Sequence, residues 1–161
     1  VSSKVEPMYH IGKIIYLANR YHLEDYGRFV VGDEIIAMKN GPVLSSVYDM
    51  IKLVKNGYNS YKNFQDEQKI LDSLLYVGRE SSGELDKLIP KRPAELQYLS
   101  QSDINSLDRA IEEIKDLTFR ELERFSHDAL YYSAKLNDEI SFEDVVRYSK
   151  NSKELFEYLA G

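Results

Sequence analysis

Residues 15–52 read IYLANRYHLEDYGRFVVGDEIIAMKNGPVLSSVYDMIK, and the order of residue types in this stretch decides the fold. From Met8 to about Leu23, Ile11, Ile14, Ile15, Ala18 and His22 recur at helical spacing, which predicts a helix burying one stripe, with Lys13, Asn19 and Arg20 turned elsewhere. Gly27 of Tyr26-Gly27-Arg28 ends that helix. Phe29, Val30, Val31, Ile35 and Ile36 favour extended structure, and Gly32-Asp33 interrupts them, so residues 29–38 should form a small hairpin or a strand with a turn. Pro42 has no amide proton and biases Gly41 away from helical torsions, so the next helix must start after it. Ser46 is the expected cap, Val47, Met50, Ile51 and Val54 the expected stripe, and Asn56-Gly57 the expected stop.

Three helix starts are written further along, each as an apolar residue, a hydroxyl residue, two variable residues, an acid and an apolar residue. They are Leu99-Ser100…Asp103-Ile104, Leu117-Thr118…Glu121-Leu122 and Ile140-Ser141…Asp144-Val145. In each, the hydroxyl of Ser100, Thr118 or Ser141 can accept from the third helical amide, and the acid suits the positive helix end. The first helix should bury Ile104, Leu107, Ile111 and Ile114, the short second one Leu122 and Phe125, and Ser152 to Leu159 forms a last turn or helix. Residues 58–98 read ambiguously, as one helix or as a hairpin followed by a helix, around the apolar cluster Leu71, Leu74, Leu75, Tyr76 and Val77. The expectation is a mainly α chain, α+β with a minor β component of short strands or a small hairpin, forming a single compact domain over residues 1–161.

The chain has 161 residues and a net charge of −6 from 27 acidic and 21 basic side chains. That sign disfavours a nonspecific grip on phosphates and favours a basic partner. Cysteine is absent, which excludes disulfides, thiol nucleophiles and thiolate metal sites. No apolar run reaches the roughly 20 residues a membrane helix needs, and Val1 to Pro7 lack the apolar core of a signal peptide. The cytoplasm is the expected location.

Ser126-His127-Asp128 spells the residue types of a nucleophilic triad, but consecutive side chains diverge, and a triad is recognised by convergent geometry. A helix end followed by a cap explains the tripeptide better. His10 and His22 lie over three turns apart on one helix and cannot share a metal ion; His22 is expected in the core and His10 at the surface. Asp33 beside Glu34 reads as a turn aspartate bonding nearby backbone amides. The glycines match no phosphate loop. No metal and no cofactor is expected. The 13 tyrosines suit both core and interface, and core packing is expected to absorb most of them.

Tyr16-Leu17-Ala18-Asn19-Arg20, Tyr26-Gly27-Arg28, Gly32-Asp33, Ala37-Met38-Lys39-Asn40-Gly41-Pro42-Val43 and Val47-Tyr48-Asp49, followed by Ser126-His127, resemble the SocA-like Panacea domain family. Asn19 stands where that family has Asp. The resemblance covers about residues 8–55 and 99–148. It implies an antitoxin-type module, found in bacteria, phages and prophages, that binds a protein toxin; SocA-like members also present the toxin to a protease. No reaction comes with it. The partner surface is expected at the turns around Arg28, Asp33 and Lys39 and along Ser126–Tyr132, with His127, Tyr131 and Tyr132 in contact; Tyr26, Gly27, Gly32, Gly41 and Pro42 are expected to shape the turns. Two rivals remain at this level: a hydrolase using His127, and a DNA-binding regulator with a helix-turn-helix in residues 99–126. No heptad seam demands a homo-oligomer.

Overall fold

A computed structural model describes residues 6–56, 65–78 and 87–161. Its elements are β1 (Glu6–Pro7), α1 (Met8–Tyr26), β2 (Ile35–Met38), β3 (Gly41–Leu44), α2 (Ser45–Asn56), α3 (Gln65–Leu74), β4 (Leu75–Gly78), β5 (Lys87–Pro90), a 3-10 turn (Leu96–Tyr98), α4 (Gln101–Ile114), α5 (Phe119–Ser126), α6 (Ala129–Ser133), β6 (Glu139–Ile140), α7 (Phe142–Arg147) and α8 (Ser152–Leu159). The described residues are mainly helical, with two antiparallel three-stranded sheets in the orders β1-β5-β4 and β3-β2-β6.

Helix α1 lies at the centre, against α2, α4, α5, α7 and β3. Tyr16, Leu17, Ala18 and Asn19 are buried in succession, as are Tyr21, His22 and Leu23, so α1 is enclosed around its circumference. The single-stripe reading is therefore corrected. Lys13 (1% exposed) and Asn19 (0%) are buried, and so is His10 (5%), which was expected at the surface. A stripe presumes one neighbour; here several elements surround the helix, and each buried polar side chain reaches a backbone group of a different segment. His10 Nε2 lies 2.8 Å from Leu117 O, Lys13 Nζ donates to Pro42 O at 2.6 Å, and His22 Nδ1 lies 2.9 Å from Arg28 O. Asn19 bonds Val31 twice, accepting from its amide and donating to its carbonyl, both at 2.8 Å. Such bonds offset the desolvation of polar groups in a core.

Asn19 also explains why the extended run is shorter than expected. Only Ile35–Met38 forms a strand, pairing with β3 through Ile36↔Val43 and Ala37↔Pro42, and with β6 through Ile35↔Ile140. Residues 29–34 are irregular because the Asn19 amide takes the bonds at Val31 that a strand neighbour would have made. Pro42 sits on the outer strand β3 and its carbonyl is taken by Lys13, so neither a donor nor an acceptor is left there for edge pairing.

Helix α2 starts at Ser45, and its cap comes from elsewhere in the chain than Ser46. The Asp33 carboxylate accepts from Ser46 N at 2.8 Å, Val47 N at 3.2 Å and Glu34 N at 2.9 Å, which is the backbone-bonding aspartate expected from the sequence. The inward face of α2 is set by its packing on α1 and β3: Leu53 is 4% exposed and Met50, expected inside, is 43% exposed. The helix runs to Asn56; the expected stop at Gly57 lies outside the described residues, as do Tyr58, Tyr61 and Phe64.

Residues 65–78 and 87–90 match neither expected arrangement, since helix α3 precedes strand β4, which pairs antiparallel with β5 through Val77↔Leu88. Leu71 and Leu74 belong to the helix and Leu75 to Val77 to the strand, so one apolar cluster hides a change of period.

All three written helix starts are observed. Ser100 and Thr118 form reciprocal boxes with Asp103 and Glu121, and Ser141 accepts from Asp144 N at 3.1 Å. Asp128 adds another, accepting from Tyr131 N at 3.0 Å. Helix α4 buries Ala110, Ile111 and Ile114 against α1, with Leu107 partly buried beside them. In α5, Leu122 is fully buried, but Phe125 is 41% exposed, because this eight-residue helix gives its other inward position to Ser126.

Candidate functional site

The hairpin turn Met38–Pro42 is fastened by side chains from three elements. Tyr9 OH of α1 donates to Asn40 O at 2.6 Å, and Lys13 Nζ holds Pro42 O. From the corner between α5 and α6, His127 Nε2 lies 3.1 Å from Lys39 O, and Tyr131 OH donates to Met38 O at 3.0 Å. Four of the five turn carbonyls thus lie within hydrogen-bond distance of a side-chain nitrogen or oxygen. Ala37 O accepts from Asn137 N at 2.7 Å just before the turn. These bonds restrain the turn in addition to the β2–β3 pairing.

Gly41 makes the close approach possible. It is buried, with φ of +104°, and a Cβ placed there would overlap Ser126 Oγ and stand 2.9 Å from Lys13 Nζ. Only glycine fits that backbone beneath two polar groups. Gly27, at φ +72°, ends α1 with its amide donating to Leu23 O at 2.9 Å. Gly32 has nothing within 4 Å of a notional Cβ and is shaped by no contact of this kind.

Burial dominates the electrostatics beneath the turn. The Lys13 ammonium is pushed down to about 7 by desolvation, against the pull of the Glu123 carboxylate. The Tyr9 phenol is pushed up to about 12, again by burial. Lys13 Nζ also lies 5.1 Å from the centroid of the Tyr9 ring, a cation–π distance.

The structure brings four of the sequence-predicted site residues together. Lys39, at the turn, is exposed; the His127 ring stands 4.2 Å from the Tyr131 ring; and Tyr131 stands 5.0 Å from Tyr132, which is 70% exposed. The other two lie apart and hold the fold. Arg28 pairs with the buried Asp103 at 2.9 Å and donates to Phe29 O. Asp103 is pushed up by burial, yet bonds from Ser100 and Arg28 leave its carboxyl below the usual range. Asp33 is the cap of α2. Tyr26, 49% exposed, stacks its ring 4.7 Å from that of His22.

Ser126, His127 and Asp128 bond in different directions. Ser126 Oγ donates to Glu123 O at 3.0 Å, His127 Nδ1 lies 2.5 Å from the same carbonyl, and Asp128 pairs with Arg20 at 2.6 Å while capping α6. They form a helix end followed by a cap. Both His127 nitrogens face carbonyls, and a neutral ring has one N–H to give them. Helices α4 and α5 do join through a short turn, but α5 sets Glu121 and Glu123 beside Arg120 and Arg124, a poor match to phosphates. Among the described residues, no group of three or more His, Asp and Glu could hold a metal ion.

Sequence reasoning missed Tyr9 and Lys13 as parts of this site. The available signal was the spacing of Tyr9 and Lys13, one turn apart on the same helix. Among the described tyrosine side chains, Tyr16, Tyr21 and Tyr131 are buried, Tyr9 and Tyr48 are half-buried, and Tyr26, Tyr98, Tyr132, Tyr148 and Tyr158 are exposed.

Fold and site together define a mainly α module that presents a fastened β turn beside an aromatic corner. The family described as antitoxin SocA-like, Panacea domain, matches residues 11–130, and the chain belongs to that family. Among curated proteins and among solved structures nothing matches the chain. None of the described helices is long and apolar enough to cross a membrane.

Proposed function

We propose that this protein is an antitoxin that neutralises a protein toxin by forming a complex with it in the bacterial cytoplasm, and that the contact surface is the Met38–Pro42 turn with the Ser126–Tyr132 corner. The observation that carries the reading, besides the family, is the pinning of the turn: Tyr9, Lys13, His127 and Tyr131 hold its carbonyls while Lys39 and Tyr132 stay exposed. A preorganised surface loses little freedom on binding. Exposed tyrosine beside a charged group is the composition of interface hot spots. Presentation of the bound toxin to a protease belongs to the same reading as a second step, since it needs a complex that leaves part of the toxin accessible.

The test is co-expression. Each gene neighbouring this one is induced alone and then together with this chain, and growth and co-purification are recorded. The reading predicts one neighbour that arrests growth, rescue by this chain, and a complex that Tyr132→Ala weakens without altering the melting temperature. Absence of any toxic neighbour, or rescue without a complex, would refute it.

A further inference from the structure

A cleft of about 610 Å³ opens between the N-terminal half of α1, the β2–β3 turn and α2. Its apolar walls include Met8, Val43, Val47 and Ile51, and its charged lining residues are Lys13, Lys39 and Lys52. Among the described residues no acidic side chain lines it, in a protein that carries 27 acids against 21 bases. Lys13 is 1% exposed and makes one hydrogen bond, to Pro42 O, although an ammonium has three donors. Methionine would pack the same stem without desolvating an amine. The exposed Lys39 adds positive charge, while Lys52, beside the Tyr48 ring at 4.5 Å, has its charge offset by Asp49 at 2.9 Å.

We propose that this cleft binds the C-terminus of a partner polypeptide that ends in an apolar residue, with the terminal carboxylate directed to Lys13 and the last side chain against Val43, Val47 and Ile51. The charge of the lining selects an anion, and the apolar walls select one joined to a hydrocarbon group. The small exposure of Lys13 selects a slender one, because only the tip of a ligand reaches the amine. A chain end meets all three conditions, and capture of terminal carboxylates is an established mode of peptide recognition. The inference rests on the reading that the partner is a protein, and it names the part of that partner which is held.

The experiment uses the purified full chain and two peptide mixtures with the last two positions varied, one ending in free carboxylates and the other in carboxamides. Bound peptides are identified by mass spectrometry, and the affinity of the most enriched one is measured by fluorescence anisotropy. Enrichment of free acids ending in Leu, Ile, Val, Met or Phe is expected. The best of them should bind about tenfold or more tighter than its amide, and a similar factor should be lost in Lys13→Met, as for a charge-assisted hydrogen bond. Ile51→Trp, which places a larger side chain in the cleft and leaves Lys13 in the sequence, should also abolish binding, and circular dichroism establishes that both variants are folded. Equal capture of acids and amides, no enrichment, or unchanged affinity in Lys13→Met would overturn the inference. The two proposals fail separately. A toxin still neutralised and co-purified by both variants removes only the cleft's role; selective capture of free acids by a protein with no toxic neighbour removes only the antitoxin reading.

Discussion

Lys13→Met should stabilise this protein, and the gain should shrink as the pH rises. The lysine ammonium lies near 7 in the fold, against an ordinary value of 10.5. Between these values the unfolded chain binds the proton that the folded chain releases, so wild-type stability rises with pH across that window. Below it both states are protonated and the full penalty of burying the charge applies; above 10.5 neither is. At pH 6 the penalty is about 5 kcal/mol, and at pH 9 about 2 kcal/mol. Methionine removes the penalty but leaves Pro42 O without its donor, a loss of about 1–3 kcal/mol. The net gain is then about 2–4 kcal/mol at pH 6 and close to zero at pH 9. Urea unfolding of both proteins at the two pH values measures it. The lost hydrogen bond is common to both conditions, so the change in the difference between the proteins, about 3 kcal/mol, isolates the ionisation. A difference that does not vary with pH, or one that grows from pH 6 to pH 9, would refute the argument that a buried ammonium limits stability here.

Three further outcomes follow from the fastened turn and the loops around it. Gly41→Ala forces a side chain onto Ser126 and Lys13 at a positive φ and should cost about 2–4 kcal/mol, visible as a melting temperature lower by about 5–15 °C; a shift within a degree would mean that the turn is loosely held. Asp33→Ala removes the acceptor for the Ser46, Val47 and Glu34 amides and should cost about 1–2 kcal/mol in urea unfolding, with Asp33→Asn recovering part of it. Asn19→Asp leaves Val31 O without a donor and buries a carboxyl, so it should cost about 2–3 kcal/mol at pH 7. Burial raises an acid's pKa, so the folded variant takes up a proton before the unfolded chain does, and its deficit against wild type should narrow between pH 7 and pH 5.

What could be read from the sequence was local. The starts at Ser100, Thr118 and Ser141 depend on groups within three residues and were legible from residue type and spacing; Asp33 was legible as a backbone-bonding aspartate, but two of its donors, Ser46 N and Val47 N, lie 13 and 14 positions further on. The breaks at Gly27 and Pro42 were legible from residue type. What escaped depends on neighbours distant in sequence. Lys13, Asn19 and His10 carry the residue types of a solvated face, and only the carbonyls of Pro42, Val31 and Leu117 make their burial tolerable. Likewise, nothing near Lys39 announces that His127 and Tyr131 will fasten its turn from about ninety positions downstream. The site was half legible for this reason: its exposed members Lys39 and Tyr132 stood out by type, whereas the half-buried Tyr9 and the buried Lys13 resembled ordinary helix residues.

The division between buried and exposed members also bears on what the surface can vary. Lys39 gives the fold its carbonyl, through His127, and gives solvent its side chain. Asn40 does the same through Tyr9, being exposed while its carbonyl is held. The fold therefore constrains the backbone at these positions and leaves the residue type open, except at Gly41, where no side chain fits. On the proposed reading, partner choice can change through Lys39, Asn40 and Tyr132 while the pins stay in place. Substituting those three by residues of other charge or size should alter which protein co-purifies and leave the unfolding free energy within about 0.5 kcal/mol of wild type, as for surface positions generally. Substituting Tyr9, Lys13 or His127 should instead change stability, and change binding through the position of the turn.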